Sequence, residues 1–178
     1  MKKFSLVFLS AILFVSAFFA GSASPAAAKE AKILEFDTMV GVPRPYTGSA
    51  NAIRNINGGG LPWVVASAHG ELTVSGKLEV EVQGLLIDPN DPAAIAAGRA
   101  GTNPSPTFKA VVSCLSKDEA GTTATVVNIV TASFPADAAG NSKIEAQVNL
   151  PSPCIAPIIF VTSGAGTGTG SWFVATGN

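Results

Sequence analysis

The sequence predicts an all-β protein, an antiparallel β-sandwich or a small barrel of about seven or eight strands. First, short segments rich in β-branched residues alternate apolar and polar side chains with the period of two that is typical of strands. Second, many of the 18 glycines and 12 prolines fall between these segments, where turns are expected. Third, after the first 28 residues only one stretch, near 92–97, carries a helix signal.

The clearest local structure is a hairpin over residues 72–82. Its second half places apolar side chains on one face and polar side chains on the other: Leu78, Val80 and Val82 against Glu79, Glu81 and Gln83. Ser75-Gly76 lies at the tip, where a tight turn favours glycine. The pattern indicates an antiparallel sheet with one buried and one solvated face.

The helix signal begins at Asp91-Pro92, a good N-cap followed by a proline that the first turn tolerates. Alanine-rich residues 93–97 follow, and Gly98 is a typical C-terminal stop. Apart from the hairpin, strands are predicted over residues 33–40, 61–68, 107–115, 122–133, 143–150, 157–162 and 172–176.

Residues 1–28 have the composition of an export signal. Lys2 and Lys3 precede an apolar run over residues 4–20, and Ala26-Ala27-Ala28 fits the pattern that a signal peptidase cleaves. Cleavage there leaves residues 29–178 as one secreted β domain. No further apolar stretch approaches the roughly 18–20 residues of a membrane span, so no membrane contact is expected after cleavage.

The charge balance argues against anionic partners. Loss of Lys2 and Lys3 lowers the count of basic residues from 11 to nine against 12 acidic residues. Nucleic acids and anionic lipids are bound through clustered lysine and arginine, which this chain lacks. Neither class is therefore expected as a partner.

Two cysteines, Cys114 and Cys154, are present in the chain. An even count in an exported protein favours a disulfide between them, and two buried free thiols are the alternative. Because the only histidine, His69, is distant in sequence, a catalytic thiol is not expected.

Three ionisable side chains near the hairpin are candidates for acid–base chemistry. Glu79 and Glu81 lie two residues apart on one strand face, which places their carboxylates roughly 6–7 Å apart, near the separation used by glycosidases. A solvated strand face has the same spacing without any activity. His69 would need a neighbouring nucleophile or carboxylate, and the sequence identifies none.

Asp88, Asn90 and Asp91 place three oxygen-bearing side chains within four residues, which makes them a weak calcium candidate. The EF-hand pattern fails there, and turn and capping roles explain the same residues. No other metal site and no cofactor is expected, because no cofactor fingerprint is present.

Trp63, Trp172 and Tyr46 are candidates for ligand binding, since exposed aromatic rings stack on sugars and anchor interfaces. Trp172 and Phe173 are consecutive on a predicted strand and must face opposite sides of its sheet. One of them is exposed unless the sheet is covered on both faces. Packing in the core or at an edge is the alternative for both indoles.

The chain resembles a group of small secreted bacterial proteins of unassigned function over most of residues 29–178. The resemblance rests on Gly101-Thr-Asn-Pro-Ser-Pro-Thr-Phe108, Val112-Ser-Cys114, Leu150-Pro-Ser-Pro-Cys154-Ile-Ala-Pro157 and Trp172-Phe173. It implies export but no particular chemistry.

Residues 41–85 are also faintly similar to the CHRD type of extracellular β domain. Val42-Pro43 and the segment Gly76-Lys-Leu-Glu-Val-Glu-Val-Gln-Gly-Leu85 carry this similarity. That domain has a His-rich segment after the Gly-Leu step, whereas this chain continues with Asp88-Pro89. The similarity to the CHRD type of domain therefore does not imply a metal-binding or partner-binding role for this chain.

These observations predict a non-enzymatic secreted protein that acts by binding or as a component of the envelope or matrix. A cell-wall glycan or another secreted protein is the expected kind of partner. Two alternatives stay open. One is a carbohydrate-binding module that uses an exposed Trp63 or Trp172. The other is a hydrolase whose carboxylates, for example Glu81 and Asp88, meet only in the fold.

Overall fold

The computed structural model describes residues 30–118 and 120–177, and the predicted export signal lies outside them. The predicted all-β class is confirmed. The strands are β1 (Lys32–Phe36), β2 (Met39–Gly41), β3 (Trp63–Val64), β4 (Ser67–Thr73), β5 (Lys77–Gln83), β6 (Leu86–Ile87), β7 (Thr107–Lys117), β8 (Ala124–Val130), β9 (Phe134–Pro135), β10 (Ser142–Gln147), β11 (Ile155–Ser163) and β12 (Trp172–Thr176), with one helix, α1 (Pro92–Ala96).

The strands form two main antiparallel sheets packed in a sandwich-like manner. The four-stranded sheet has the order β1-β4-β5-β10. The six-stranded sheet has the order β2-β12-β11-β7-β8, and β9 pairs with β7 beyond the end of β8. The short strands β3 and β6 pair with each other. Side chains from both main sheets belong to one hydrophobic core.

The predicted first strand, residues 33–40, is divided between the two sheets. β1 pairs with β4 in the four-stranded sheet, whereas β2 pairs with β12 in the six-stranded sheet. The chain crosses from one sheet to the other at Asp37-Thr38. The apolar pattern runs through the crossing because both strands border the same core. Likewise, the predicted strand 61–68 is divided between β3 and the start of β4.

The predicted hairpin is confirmed as β4 and β5, with its turn at Ser75-Gly76. Gly76 has a φ of 88°, and its N–H donates to the carbonyl of Thr73 at 3.0 Å. A Cβ at this position would lie 2.0 Å from the carbonyl oxygen of Val148, so the close approach also requires glycine.

The predicted helix is confirmed as α1, and Asp91 is its N-cap. The Asp91 carboxylate accepts a hydrogen bond from the N–H of Ala94 at 2.9 Å, and Gly98 follows the helix with a φ of 66°. Among the described residues, no helix has the length and apolar character needed to cross a membrane.

Both faces of the central strands of the six-stranded sheet are buried, and β12 shows this most directly. Phe173 points towards β3, where its ring stacks on Trp63 with the ring centroids 3.9 Å apart. Trp172 points to the opposite face, which we call the outer face, and packs edge-on against Phe160. The outer face must therefore be covered by other parts of the chain.

Residues 43–62, which we call the cover segment, lie over this outer face. On the β12 side of the sheet, Gly59 N–H donates to the carbonyl of Trp172 at 2.8 Å. On the β8 side, the Asn128 side chain donates to the carbonyl of Arg54 at 2.9 Å. The segment therefore spans the sheet from β12 to β8, and Ile56 within it is fully buried.

A second covering element is the glycine-rich loop 164–170. Lys109, on β7, is buried beneath it, and its ammonium donates to the carbonyls of Ala165 at 3.3 Å, Gly166 at 2.5 Å and Gly168 at 3.3 Å. These carbonyls satisfy the donors of a buried charge that would otherwise be costly. Sequence patterns gave no indication of this contact, because the lysine and the loop are over 50 residues apart.

The structure pairs the two cysteines. Cys114 on β7 and Cys154 just before β11 form a disulfide with a sequence separation of 40 residues. The bridge ties neighbouring strands of the six-stranded sheet together at the end where Ile155 pairs with Leu115. A disulfide of this kind is typical of an oxidising compartment.

We expect the disulfide to contribute about 4 kcal/mol to the free energy of unfolding, since it closes a loop of 40 residues in the unfolded chain. Urea unfolding of the unmodified protein with and without a thiol reductant measures this contribution without changing the packing. The double substitution Cys114→Ala/Cys154→Ala serves as a second measurement. Equal urea midpoints with and without reductant would contradict the expectation.

Candidate functional site: the charged face of the four-stranded sheet

The solvated face of the four-stranded sheet, which we call the charged face, concentrates ionisable side chains. Strand alternation produces it: Leu78, Val80 and Val82 are buried in the core, so the intervening residues of β5 point to solvent. The other strands follow the same rule. Five glutamates and three lysines share the face: Glu35, Glu71, Glu79, Glu81, Glu145, Lys32, Lys77 and Lys143.

Four of these glutamates form a row directly across the sheet. Glu35 is in register with Glu71, Glu71 with Glu79, and Glu79 with Glu145, so each strand contributes one carboxylate. Directly opposed like charges destabilise an antiparallel pair. Without compensation, this row would weaken every strand pairing in the sheet.

Lysines neighbouring the row supply the compensation. Lys32 Nζ lies 2.5 Å from carboxylate oxygens of both Glu35 and Glu71, and these partners raise its pKa. Lys77 forms an ion pair with Glu79, which raises the pKa of Lys77.

At the far end of the row, Lys143 lies 2.5 Å from Glu145. This contact raises the pKa of Lys143 and lowers the pKa of Glu145. Each glutamate of the row is therefore paired with a lysine. The charged face as a whole has five carboxylates against three ammonium groups, so it keeps a negative excess.

His69 lies at the edge of this row, opposite Glu81 in register. Its Nε2 is 3.7 Å from a carboxylate oxygen of Glu81, and both side chains are accessible to solvent. They line a shallow depression of about 250 Å³, together with Glu35, Asp37, Glu71, Glu79 and Lys143. The structure thus brings together all three ionisable candidates from the hairpin region.

The sequence did not reveal the partners of these three residues. Glu71 and Glu145 each lie at a polar position of an alternating strand, which indicates a solvent-facing side chain. Their alignment with Glu79 depends on the register between strands that are distant in sequence. Local periodicity carries no information about that register.

Within residues 30–118 and 120–177, no three histidine, cysteine, aspartate or glutamate side chains are arranged to hold a metal ion. The calcium candidates have other contacts. Asp88 accepts the N–H of Asn90 at 2.8 Å in a local turn. Both carboxylate oxygens of Asp91 bind Arg44, at 2.8 and 3.1 Å.

The three aromatic candidates do not form a common surface. Trp63 and Trp172 are 5% and 3% exposed and belong to the core, so neither indole can stack on a sugar ring. Their assignment as ligand-binding residues is corrected accordingly, and the covered outer face is the physical reason for Trp172. Tyr46, in the cover segment, is 40% exposed.

The carboxylate pair named for a hydrolase is likewise not assembled in one cleft. Glu81 lines the depression on the charged face. Asp88 lines a different groove, beside β2 and β3, with Met39 and Val64. The carboxylates that do lie near Glu81 belong to the lysine-bridged row.

No family model, no curated protein and no solved structure matches this chain. The interpretation of the charged face therefore depends on its geometry and electrostatics.

The Arg44–Asp91 pair predicts a pH-dependent contribution to stability. The Arg44 guanidinium lowers the pKa of Asp91 from 3.8 to about 2. A lowered carboxyl pKa stabilises the fold above about pH 4, and this contribution is lost as the pH falls towards 2. Asp91→Asn keeps a capping oxygen but removes the charge.

We expect Asp91→Asn to lower the urea midpoint near neutral pH, and the difference from the unmodified protein to shrink between about pH 4 and pH 2. Urea unfolding at several pH values measures this. A difference that stays constant over that interval would contradict the assigned pKa shift.

Proposed function

We propose that the protein is a non-enzymatic secreted β-sandwich that acts by binding, as a component of the cell envelope or matrix, through its charged face. The observation that carries this proposal is the row of four glutamates with its neighbouring lysines, which forms a regular, solvent-accessible array across the sheet. Such an array suits a partner surface with repeated positive charge, since complementary potentials steer and orient binding.

The distribution of charge supports this choice of surface. The charged face carries five glutamates against three lysines. Away from it, the described residues include six acidic side chains, Glu30, Asp37, Asp88, Asp91, Asp118 and Asp137, against five basic ones, Arg44, Arg54, Arg99, Lys109 and Lys117. Two of the three excess negative charges of the described residues therefore lie on the charged face, where they can act on a partner.

Export is supported by two independent features. Residues 1–28 have the composition of a secretory signal, and the Cys114–Cys154 disulfide is typical of proteins that fold in an oxidising compartment.

The two alternatives have less support. Trp63 and Trp172 are buried, so the carbohydrate-binding alternative lacks the exposed indoles that would stack on a sugar. A hydrolase needs one carboxyl group held protonated near neutral pH, usually by burial in an apolar pocket. Glu145 has the opposite shift, because Lys143 lowers its pKa.

Co-sedimentation of the purified protein with isolated cell-envelope material tests the proposal. We expect saturable binding that weakens as salt is added, because the contact is electrostatic. Glu71→Gln/Glu79→Gln removes two charges from the row and should weaken binding roughly three- to tenfold.

Asp88→Asn/Asp118→Asn is the matched control, since it removes two charges from other surfaces while keeping a side-chain oxygen for each local hydrogen bond. We expect this variant to bind as the unmodified protein does. Equal losses in both variants, or binding that is insensitive to salt, would contradict a role for the charged face.

A further inference from the structure

Strand β8 is an edge strand with unpaired backbone groups. It pairs with β7 on one side, and within the described part of the chain no strand pairs with its other side. Thr131 N–H donates to the carbonyl of Ala110 at 3.0 Å. Because the direction of backbone hydrogen bonding alternates along a strand, the odd-numbered residues of β8 bond to β7. The N–H and C=O groups of Val126, Asn128 and Val130 therefore point outward.

This edge lacks the features that protect the other strand edges. β1 carries Lys32 and Glu35, β10 carries Lys143 and Glu145, and β2 is only three residues long. In contrast, residues 122–136 contain no charged side chain. Natural sheets protect their edges with charges, prolines, bulges or short strands, so an uncharged edge of seven residues is an exception.

The sequence of this edge is nearly symmetric about Asn128. Residues 125–131 read Thr-Val-Val-Asn-Ile-Val-Thr, so each residue before Asn128 has an equal or similar residue at the same distance after it. In an antiparallel pair related by a two-fold axis at Asn128, Val126 faces Val130 of the second copy and Asn128 faces itself. These positions are the ones whose backbone groups point outward.

We propose that β8 pairs antiparallel with β8 of a second copy of this chain, about a two-fold axis at Asn128. Three residue pairs then exchange about six backbone hydrogen bonds, and β-branched side chains meet each other across the junction. The two six-stranded sheets become one continuous sheet. This inference does not depend on the proposed binding role of the charged face.

The space beside the edge accommodates a second strand. Residues 129–132 and 145–149 border an open groove of about 440 Å³ between the edges of the two sheets. In this register, Val127 of the second copy lies opposite Ile129 at this groove, where Phe134 and Val148 supply further apolar contacts. Because one strand pair buries less surface than a standard interface, the dimer is expected to be weak and reversible.

Sedimentation equilibrium of the purified protein over a range of concentrations tests the dimer. We expect the mass to rise from monomer to dimer. Val126→Lys places a charge opposite Val130 of the second copy and should raise the dissociation constant about tenfold or more. Val40→Lys is the matched control, since Val40 is 56% exposed on β2, the opposite edge of the same sheet, and this variant should dimerise normally.

Cysteine cross-linking tests the register. A hydrogen-bonded antiparallel pair has a Cα separation of about 5.5 Å, within disulfide range, so Asn128→Cys should cross-link two copies by itself. Val126→Cys should not, because the two copies of that position lie four residues apart along the junction, roughly 13 Å. Combining Val126→Lys with Val130→Asp should restore dimerisation by placing opposite charges face to face.

Four results would overturn the proposal. The first is an unmodified protein that stays monomeric at every concentration. The second is a Val40→Lys variant that dissociates as fully as Val126→Lys does. The third is equal cross-linking through both cysteine positions. The fourth is a charge-swapped variant that remains monomeric although its circular dichroism shows a folded sheet.

Discussion

Burial of both faces of β12 is the constraint on which the other structural features depend. Trp172 and Phe173 are consecutive, so the pleat of the strand sends their rings to opposite sides. Each side then needs its own cover: β3 and the core on one, the cover segment on the other. Hydrogen bonds from Gly59 to β12 and from Asn128 on β8 to Arg54 fix the cover segment on both sides of the sheet. The central strands of the six-stranded sheet are therefore buried on both sides, and the broad solvated face belongs to the four-stranded sheet.

That division explains where charge can accumulate. Side chains on the outer face of the central strands of the six-stranded sheet are enclosed, and Lys109 is tolerated there because loop carbonyls surround its ammonium. The four-stranded sheet has no such restriction on its outer side. Its glutamate row is locally unfavourable and is compensated by Lys32, Lys77 and Lys143. A regular charged array is thus held in place by backbone pairing rather than by burial.

Local patterns predicted the elements whose contacts are local. The turn of the hairpin at Gly76 and the helix capped by Asp91 depend on hydrogen bonds between residues a few positions apart. Features set by distant contacts were not predicted. Residues 33–40 carry apolar side chains on both sides of Asp37-Thr38 because both halves border one core, so the pattern was interpreted as a single strand. The glutamate row depends on strand register, and the cover segment has no periodicity to detect.

Iodide quenching of tryptophan fluorescence tests most directly whether the outer face is covered. The sequence has two tryptophans, so Trp172 is the only source of tryptophan fluorescence in the Trp63→Phe variant. Trp172 is 3% exposed, so its emission should be blue-shifted and nearly insensitive to iodide until the protein is unfolded in urea. A red-shifted emission that iodide quenches in the folded protein would show that the cover segment does not enclose the sheet, and would contradict this account.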